Sequence, residues 1–129
     1  MQNSNTLLFA IASAESDLQI CLLLNRALSI NLSLSENLDV NFKKSIISFR
    51  QYTYEGEEGI EKYRLFLNRN STNYLFPELK QIDFILLIQS EGLLLTAENK
   101  INQLKSNPTF TVIYKLDPST LKSFRKLID

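Results

Sequence analysis

The sequence predicts an α+β fold in which one mostly antiparallel sheet carries about three helices. The hydrophobic pattern places the elements in the order strand, helix, several strands, helix, strand, helix. The middle strands are joined by links of hairpin length, whereas parallel strands need long crossover connections. With 129 residues, 44% hydrophobic and 22% charged, the chain has the size and composition of one globular domain spanning residues 1–129.

The first two elements are a buried strand and an amphipathic helix. The apolar run at residues 7–11 predicts the strand. Ser16 and Gln19 have the spacing of a capping box, which predicts a helix over residues 17–28. The predicted core stripe of this helix consists of Ile20, Cys21, Leu23, Leu24, Ala27 and Leu28.

Two leucines of this helix fall outside its core stripe. Leu18 and Leu22 lie among polar residues on the other side of the helical wheel. They need a second apolar partner, which could be a loop of the same chain or another subunit. Leu18 and Leu22 are therefore candidate interface residues.

The middle of the chain predicts short strands and turns. Residues 30–42 alternate loosely and predict a short edge strand between turns. Residues 47–52 and 63–67 predict two longer strands, joined as an antiparallel hairpin through the glycine-containing link at residues 55–59. Residues 68–73 have turn composition throughout.

The last third of the chain predicts a central strand followed by a helix. Residues 82–88 are apolar at every position except Asp83, as expected of a central strand that is covered on both faces, or of a strand that another subunit covers. Gly92 ends this strand. Thr96 is the predicted N-cap of a helix that stops at Asn107-Pro108. Its apolar positions are Ala97, Ile101 and Leu104.

A final strand and a terminal helix complete the predicted fold. Residues 110–115 alternate as a strand does. Asp117 is the predicted N-cap of the terminal helix, and Pro118 occupies its first position. The apolar stripe expected on this helix consists of Leu121, Phe124 and Ile128.

The composition excludes several classes of chemistry. The chain has no histidine, so it cannot form the usual catalytic triads or a histidine-ligated zinc site. One cysteine and three scattered glycines form neither a thiolate metal site nor a phosphate-binding loop. Fourteen basic residues balance fourteen acidic ones, so no overall field attracts nucleic acid. We therefore expect a non-enzymatic protein without a metal or cofactor.

The stretch YLFPELKQIDFILLI, at residues 74–88, carries the most distinctive polar residues. Glu78 and Asp83 could form an acid–base pair, bind a cation together with Glu91, or contribute to a ligand site. A structural alternative is open. Glu78 would then accept backbone N–H bonds within a short helix that begins at Pro77. Asp83 would pair with a nearby base, for which the candidates are Lys80, Arg64 and Arg69.

The predicted hairpin strands also combine basic and aromatic residues. Such a sheet surface could stack nucleic-acid bases, although acidic residues of the link lie beside it. Ordinary strand packing or a protein interface is the alternative. The residues concerned are Arg50, Tyr52, Tyr54, Lys62, Tyr63, Arg64, Phe66 and Arg69.

The segment Phe76–Phe84 resembles the signature of the IPExxxVDY family, a bacterial family found mainly in Bacteroidota. Pro77, Glu78 and Asp83 match this signature, whereas Phe76 replaces its isoleucine, Ile82 its valine and Phe84 its tyrosine. The similarity extends through the stretches DLQICLLLNRALSINL and YRLFLNRNS. No activity is assigned to the family, so the resemblance implies a bacterial cytoplasmic setting and no mechanism.

Residues 1–16 lack the basic region of a signal peptide, and their apolar run is too short for one, which also favours a cytoplasmic protein without membrane contact. The leading functional prediction is an interaction or scaffold module that forms a homodimer or binds a protein partner. The alternative is a protein that binds a small ligand or RNA through residues 76–84 and the basic aromatic strands.

Overall fold

A computed structural model describes residues 5–56, 59–92 and 94–128, which form ten strands and three α-helices. The helices are α1 (Asp17–Leu28), α2 (Leu95–Gln103) and α3 (Arg125–Ile128). The strands are β1 (Asn5–Ala12), β2 (Ser33–Leu34), β3 (Leu38–Phe42), β4 (Ser45–Phe49), β5 (Gln51–Glu55), β6 (Glu61–Leu67), β7 (Arg69–Asn70), β8 (Asn73–Tyr74), β9 (Phe84–Ser90) and β10 (Val112–Leu116).

Six strands form one antiparallel sheet in the order β10-β1-β9-β6-β5-β2, and β3-β4 and β7-β8 form two separate hairpins. This arrangement confirms the predicted α+β class with a mostly antiparallel sheet. Strand β9 pairs with β1 on one side and with β6 on the other. Its apolar residues are buried on both faces, as predicted for residues 82–88. The pleat divides them between two cores, with Leu86 in one and Ile85 in the other.

One core lies between the sheet and helices α1 and α2. Helix α1 has the predicted limits, because the Ser16 side chain accepts a hydrogen bond from the Gln19 N–H and Ser29 ends the helix in the left-handed region. Thr96 does not cap α2, so that prediction is wrong. The helix begins two residues earlier than predicted, at Leu95, with the buried Leu94 in the N-cap position. Leu94 packs in the core beneath the helices, and no side chain caps this end of α2.

The other core lies between the opposite face of the sheet and three segments that pack on it: the β3-β4 hairpin, residues 75–82 and the C-terminal segment. The prediction of one strand over residues 47–52 is wrong. The chain bends at Arg50, where it leaves the β3-β4 hairpin and enters the main sheet. The alternation of side chains continues through the bend, so the pattern alone does not reveal it. Strand β2 is the predicted edge strand, and β3 was not predicted.

The hairpin between β5 and β6 is confirmed, although Glu57 and Glu58 of its link lie outside the described residues. Gly59 has a φ of 70°, a conformation that favours glycine. The predicted turn at residues 68–73 is itself a small hairpin of β7 and β8.

The C-terminal segment begins as predicted but does not form one helix. The Asp117 carboxylate accepts a hydrogen bond from the Ser119 N–H, with Pro118 in the first turn. Two 3-10 turns then precede α3. Because a 3-10 turn has fewer residues than an α-helical turn, the side chains change face. Leu127 is therefore buried and Ile128 is 52% exposed, which makes the predicted stripe wrong at Ile128.

A buried asparagine joins the sheet to residues 75–82. Asn68 follows β6 and is fully buried. Its side-chain amide donates to the carbonyls of Leu79 and Ile82, each at 2.9 Å, and accepts from the N–H of Phe76 at 2.7 Å. Its backbone N–H donates to the Asp83 carbonyl at 2.9 Å. Asn68 thus satisfies three backbone polar groups of this segment, which contains one 3-10 turn but no strand or α-helix.

We predict that Asn68→Ala destabilises the protein by about 3 kcal/mol or more, because three backbone groups lose their buried partner. Chemical denaturation measures this free energy of unfolding. Asn41→Ala is the matched control, since Asn41 is exposed, and it should change stability by less than about 0.5 kcal/mol. Equal stabilities of the two variants would contradict the role given to Asn68.

Candidate functional site

The distinctive segment Phe76–Phe84 joins the two cores at the start of β9. Pro77–Leu79 forms a 3-10 turn, and Phe76 and Ile82 on either side of it are buried. The segment therefore presents its polar side chains from a backbone that Asn68 fixes. Glu78, Lys80 and Asp83 point to different parts of the molecule, as their contacts show.

Glu78 contacts the C-terminal segment. Its carboxylate accepts hydrogen bonds from the hydroxyl and the N–H of Ser123, at 2.6 and 3.2 Å. Partial burial raises the pKa of Glu78, but the bonds from Ser123 and from its own backbone N–H outweigh this effect and lower the pKa below its ordinary value. Local backbone bonding was predicted, but the partner 45 residues away was not.

Asp83 fixes the end of β1. Its Oδ2 accepts a hydrogen bond from the Ser13 N–H at 2.8 Å, while its own N–H donates to the carbonyl of Ile11. Among the described residues Asp83 forms no ion pair, so the predicted pairing with Lys80, Arg64 or Arg69 is wrong. Asp83 lies where β1 leaves the ladder of strand hydrogen bonds. The Ser13 N–H has no strand partner there and donates to the carboxylate instead.

An open cleft of about 370 Å³ lies beside Asp83. It is formed where β1 and β6 end, where β9 begins, and beside the first turn of α1. Its lining residues are Ser13, Ala14, Glu15, Asp17, Leu67, Arg69, Tyr74, Lys80, Ile82, Asp83 and Phe84. Of the predicted binding residues, the structure brings Arg69, Lys80 and Asp83 together here.

The other two predicted binding residues lie outside the cleft. Glu78 contacts Ser123, as described above. Arg64 donates to the Gln51 side chain at 3.2 Å and to the carbonyl of Leu127 at 2.7 Å, and its guanidinium lies over the ring of Phe66. Burial lowers the pKa of Arg64. Arg64 therefore attaches α3 to the sheet.

Asp17, which was not predicted as a site residue, lies at one wall of the cleft. Its Oδ2 accepts hydrogen bonds from the Tyr52 hydroxyl at 2.7 Å and from Arg50 at 3.0 Å. Burial raises the pKa of Asp17, but these two bonds and the charge of Arg50 lower it overall. Burial, the hydrogen bond to Asp17 and its charge raise the pKa of Tyr52 to about 12. In the sequence, the only local indication of a role for Asp17 is its position as an acidic residue in the first turn of α1.

The basic and aromatic side chains of β5 and β6 do not form one stacking surface. Tyr52 and Tyr63 are buried in the core beneath the helices, whereas Phe66 is buried in the opposite core. The rings of Tyr54 and Tyr63 contact each other, with centroids 5.9 Å apart. These aromatic residues act mainly in strand packing, so base stacking on this sheet gains no support.

The outer flank of α1 carries the predicted interface residues. Leu18 is 55% exposed and Leu22 is 47% exposed. No loop among the described residues covers them, so the intramolecular alternative is not realised there. Leu34 of edge strand β2 is 60% exposed and pairs with Tyr52, whose side chain faces α1. Directly paired residues share a face of the sheet, so Leu34 lies on the same side as α1.

Two hydrogen bonds hold this flank beside β2. The Asn25 side chain donates to the carbonyl of Leu32 at 3.1 Å and accepts from the Leu32 N–H at 2.7 Å. We call Leu18, Leu22 and Leu34 the leucine surface.

The described residues contain no group of three potential ligands placed to hold a metal ion. Glu91 follows the last residue of β9, at the opposite end of the strand from Asp83, so the cation site considered for Glu78, Asp83 and Glu91 is not assembled.

Within the described part of the chain, no helix has the length and apolar character needed to cross a membrane. A scan against protein-family models and a search of curated proteins both give no match to this sequence.

We predict that Asp83→Ala lowers the free energy of unfolding by about 1–3 kcal/mol, because the Ser13 N–H loses its acceptor. Asp83→Asn keeps an acceptor oxygen and should lose less than half as much. Glu91→Ala, at an exposed position, is the control. An unchanged melting temperature for Asp83→Ala would mean that Asp83 is retained for another role.

The Glu78–Ser123 contact predicts a dependence of stability on pH. Because the folded protein lowers the pKa of Glu78, its contribution is complete above the ordinary carboxyl pKa and is lost as the pH falls through the lowered value. Ser123→Ala should therefore cost about 1 kcal/mol at neutral pH, and less in acid. Urea denaturation at neutral and acidic pH, with the exposed Ser106→Ala as control, measures this difference. A cost that is equal at both pH values would contradict it.

Proposed function

We propose that the protein is a non-enzymatic interaction module that forms a homodimer through the leucine surface. The observation that carries this proposal is the exposure of Leu18 and Leu22 one turn apart on α1, with Leu34 on the same side of the sheet. Fully burying a leucine side chain contributes about 1.5–3 kcal/mol. Three half-exposed leucines on the same side of the sheet therefore offer a useful part of the free energy that a dimer needs.

The charges on α1 favour a second copy of the same chain as the occupant. Glu15 precedes the helix and Arg26 lies in its last turn. Both residues are exposed, and neither forms an ion pair with another described residue. A two-fold axis requires a surface that complements itself, and an apolar centre between opposite charges meets that requirement.

The spacing along α1 specifies a register for this contact. If two α1 helices cross antiparallel with the two-fold axis level with residue 20, Leu18 of one copy lies opposite Leu22 of the other. The same register places Arg26 of one copy next to Glu15 of the other. Two apolar contacts and two charge pairs then form together.

The absence of histidine supports a role other than catalysis. The one cysteine, Cys21, is buried, and burial raises the pKa of its thiol, which opposes nucleophilic chemistry. Membership of the IPExxxVDY family, with its bacterial cytoplasmic setting, stays a prediction. It is compatible with this role, because two of its motif residues, Glu78 and Asp83, make structural contacts.

We predict that the wild-type protein is a dimer at tens of micromolar by sedimentation equilibrium. The double variant Leu18→Glu/Leu22→Glu should dissociate at least tenfold more readily, because it places like charges in the apolar centre. Leu95→Glu is the matched control, since Leu95 is 64% exposed on the other helix of this layer. A monomeric wild type, or equal dissociation of the double variant and the control, would overturn the proposal.

Charge exchange tests the register separately. Glu15→Arg and Arg26→Glu should each weaken the dimer, whereas the combined variant should recover it because both pairs are restored with reversed signs. Circular dichroism of each variant checks that the fold is retained. A combined variant that is weaker than both single variants would contradict the antiparallel register.

A further inference from the structure

The cleft beside Asp83 contains charges of both signs that do not neutralise one another. Its basic residues are Arg69 and Lys80, and its acidic residues are Glu15, Asp17 and Asp83. Within the described ranges no nitrogen of Arg69 or Lys80 lies within 4.0 Å of a carboxylate oxygen. The opposite charges thus face the same space while remaining apart.

Asp83 is held in a fixed orientation with one oxygen uncommitted. Its Oδ2 accepts from the Ser13 N–H, and its backbone is fixed on both sides by bonds to Ile11 and Asn68. Among the hydrogen bonds of the described residues, Oδ1 has no partner. The carboxylate is therefore oriented before any ligand binds, which reduces the entropy lost on binding.

Asp17 differs from Asp83 in its availability. The Tyr52 hydroxyl and the Arg50 guanidinium already occupy its Oδ2. Arg50 thus already neutralises the charge of Asp17. The Glu15 side chain is exposed and has no hydrogen-bond partner among the described residues to orient it, so Asp83 is the better placed acceptor for a cation. On the basic side, the ammonium of Lys80 lies 5.9 Å from the centre of the Tyr74 ring, and this contact positions it without neutralising its charge.

The other lining residues are mixed in polarity, and the space is small. Ser13 and Tyr74 are polar, whereas Leu67, Ile82 and Phe84 are apolar, and Ile82 and Phe84 are almost fully buried. A volume of about 370 Å³ lies near the lower end of the range for small-molecule sites. The cleft therefore suits a ligand smaller than a nucleotide, with one apolar group.

We propose that this cleft binds a small zwitterion of the α-amino-acid class that carries an apolar side chain. The ligand ammonium donates to Asp83, its carboxylate lies between Arg69 and Lys80, and its side chain contacts Leu67 and Phe84. Each charged group then meets a charge that the protein leaves unpaired, as electrostatic complementarity requires. The proposed ligand contacts no residue of the leucine surface, so either proposal can fail without the other, although Glu15 lines the cleft and also belongs to the proposed dimer charge pair.

The first experiment compares three probes that differ only in charge. L-Phenylalanine has both charges, 3-phenylpropionate lacks the ammonium, and 2-phenylethylamine lacks the carboxylate. We expect L-phenylalanine to shift the amide NMR signals of residues 13–17, 67–69 and 80–84 and to bind at least tenfold more tightly than either analogue, because each lost charged contact is worth about that factor. An analogue that binds as tightly, or shifts confined to other residues, would overturn the proposal.

The second experiment removes one charge of the protein at a time. Asp83→Asn retains an acceptor for Ser13, and it should weaken L-phenylalanine about tenfold while leaving 3-phenylpropionate unchanged or tighter. Arg69→Gln/Lys80→Gln should weaken L-phenylalanine and 3-phenylpropionate but leave 2-phenylethylamine unchanged. The control is Lys62→Gln, an exposed base outside the cleft. If Asp83→Asn weakens all three probes equally while its NMR spectrum shows an intact fold, the proposed orientation is wrong.

Discussion

The side-chain amide of Asn68 satisfies backbone groups of Phe76, Leu79 and Ile82 in a fully buried position. These groups belong to a segment that lies over the sheet without forming a strand or an α-helix. An unpaired polar group in such a place would cost free energy, so the segment can cover the core only with a partner of this kind. Through this contact the chain between β6 and β9 has one defined path.

That path brings two polar residues of the distinctive segment into contact with parts of the chain that are distant in sequence. Asp83 binds the backbone of Ser13, and Glu78 binds Ser123. Because β9 is the central strand, residues at its start are close to both the N-terminal strand and the C-terminal segment. A stretch that first suggested catalytic carboxylates thus contacts the residue that follows β1 and the C-terminal segment, and its open side forms the wall of a charged cleft.

Different parts of helix α1 make three different kinds of contact. Its core stripe covers the sheet, its first turn carries Asp17 beside the cleft, and its outer flank carries Leu18 and Leu22. Hydrogen bonds hold the helix to the β2-β5 edge of the sheet: Asn25 donates to the carbonyl of Leu32, and Asp17 accepts from Arg50 and from the Tyr52 hydroxyl. The surface proposed for self-association and the cleft proposed for ligand binding therefore both involve the same helix.

The sequence by itself determined the limits of α1, the central position of β9 and the exposed flank of α1. These features follow from short-range rules: a cap acts over three residues, and burial is visible in the period of apolar side chains. Tertiary structure decided the bend at Arg50, the partner of Asp83 and the assembly of the cleft. Asp83 and Ser13 are 70 residues apart, and the pairing of a carboxylate with a distant backbone N–H has no signature in side-chain types. Only the folded chain brings such groups within hydrogen-bonding distance, because their proximity depends on the order of the strands.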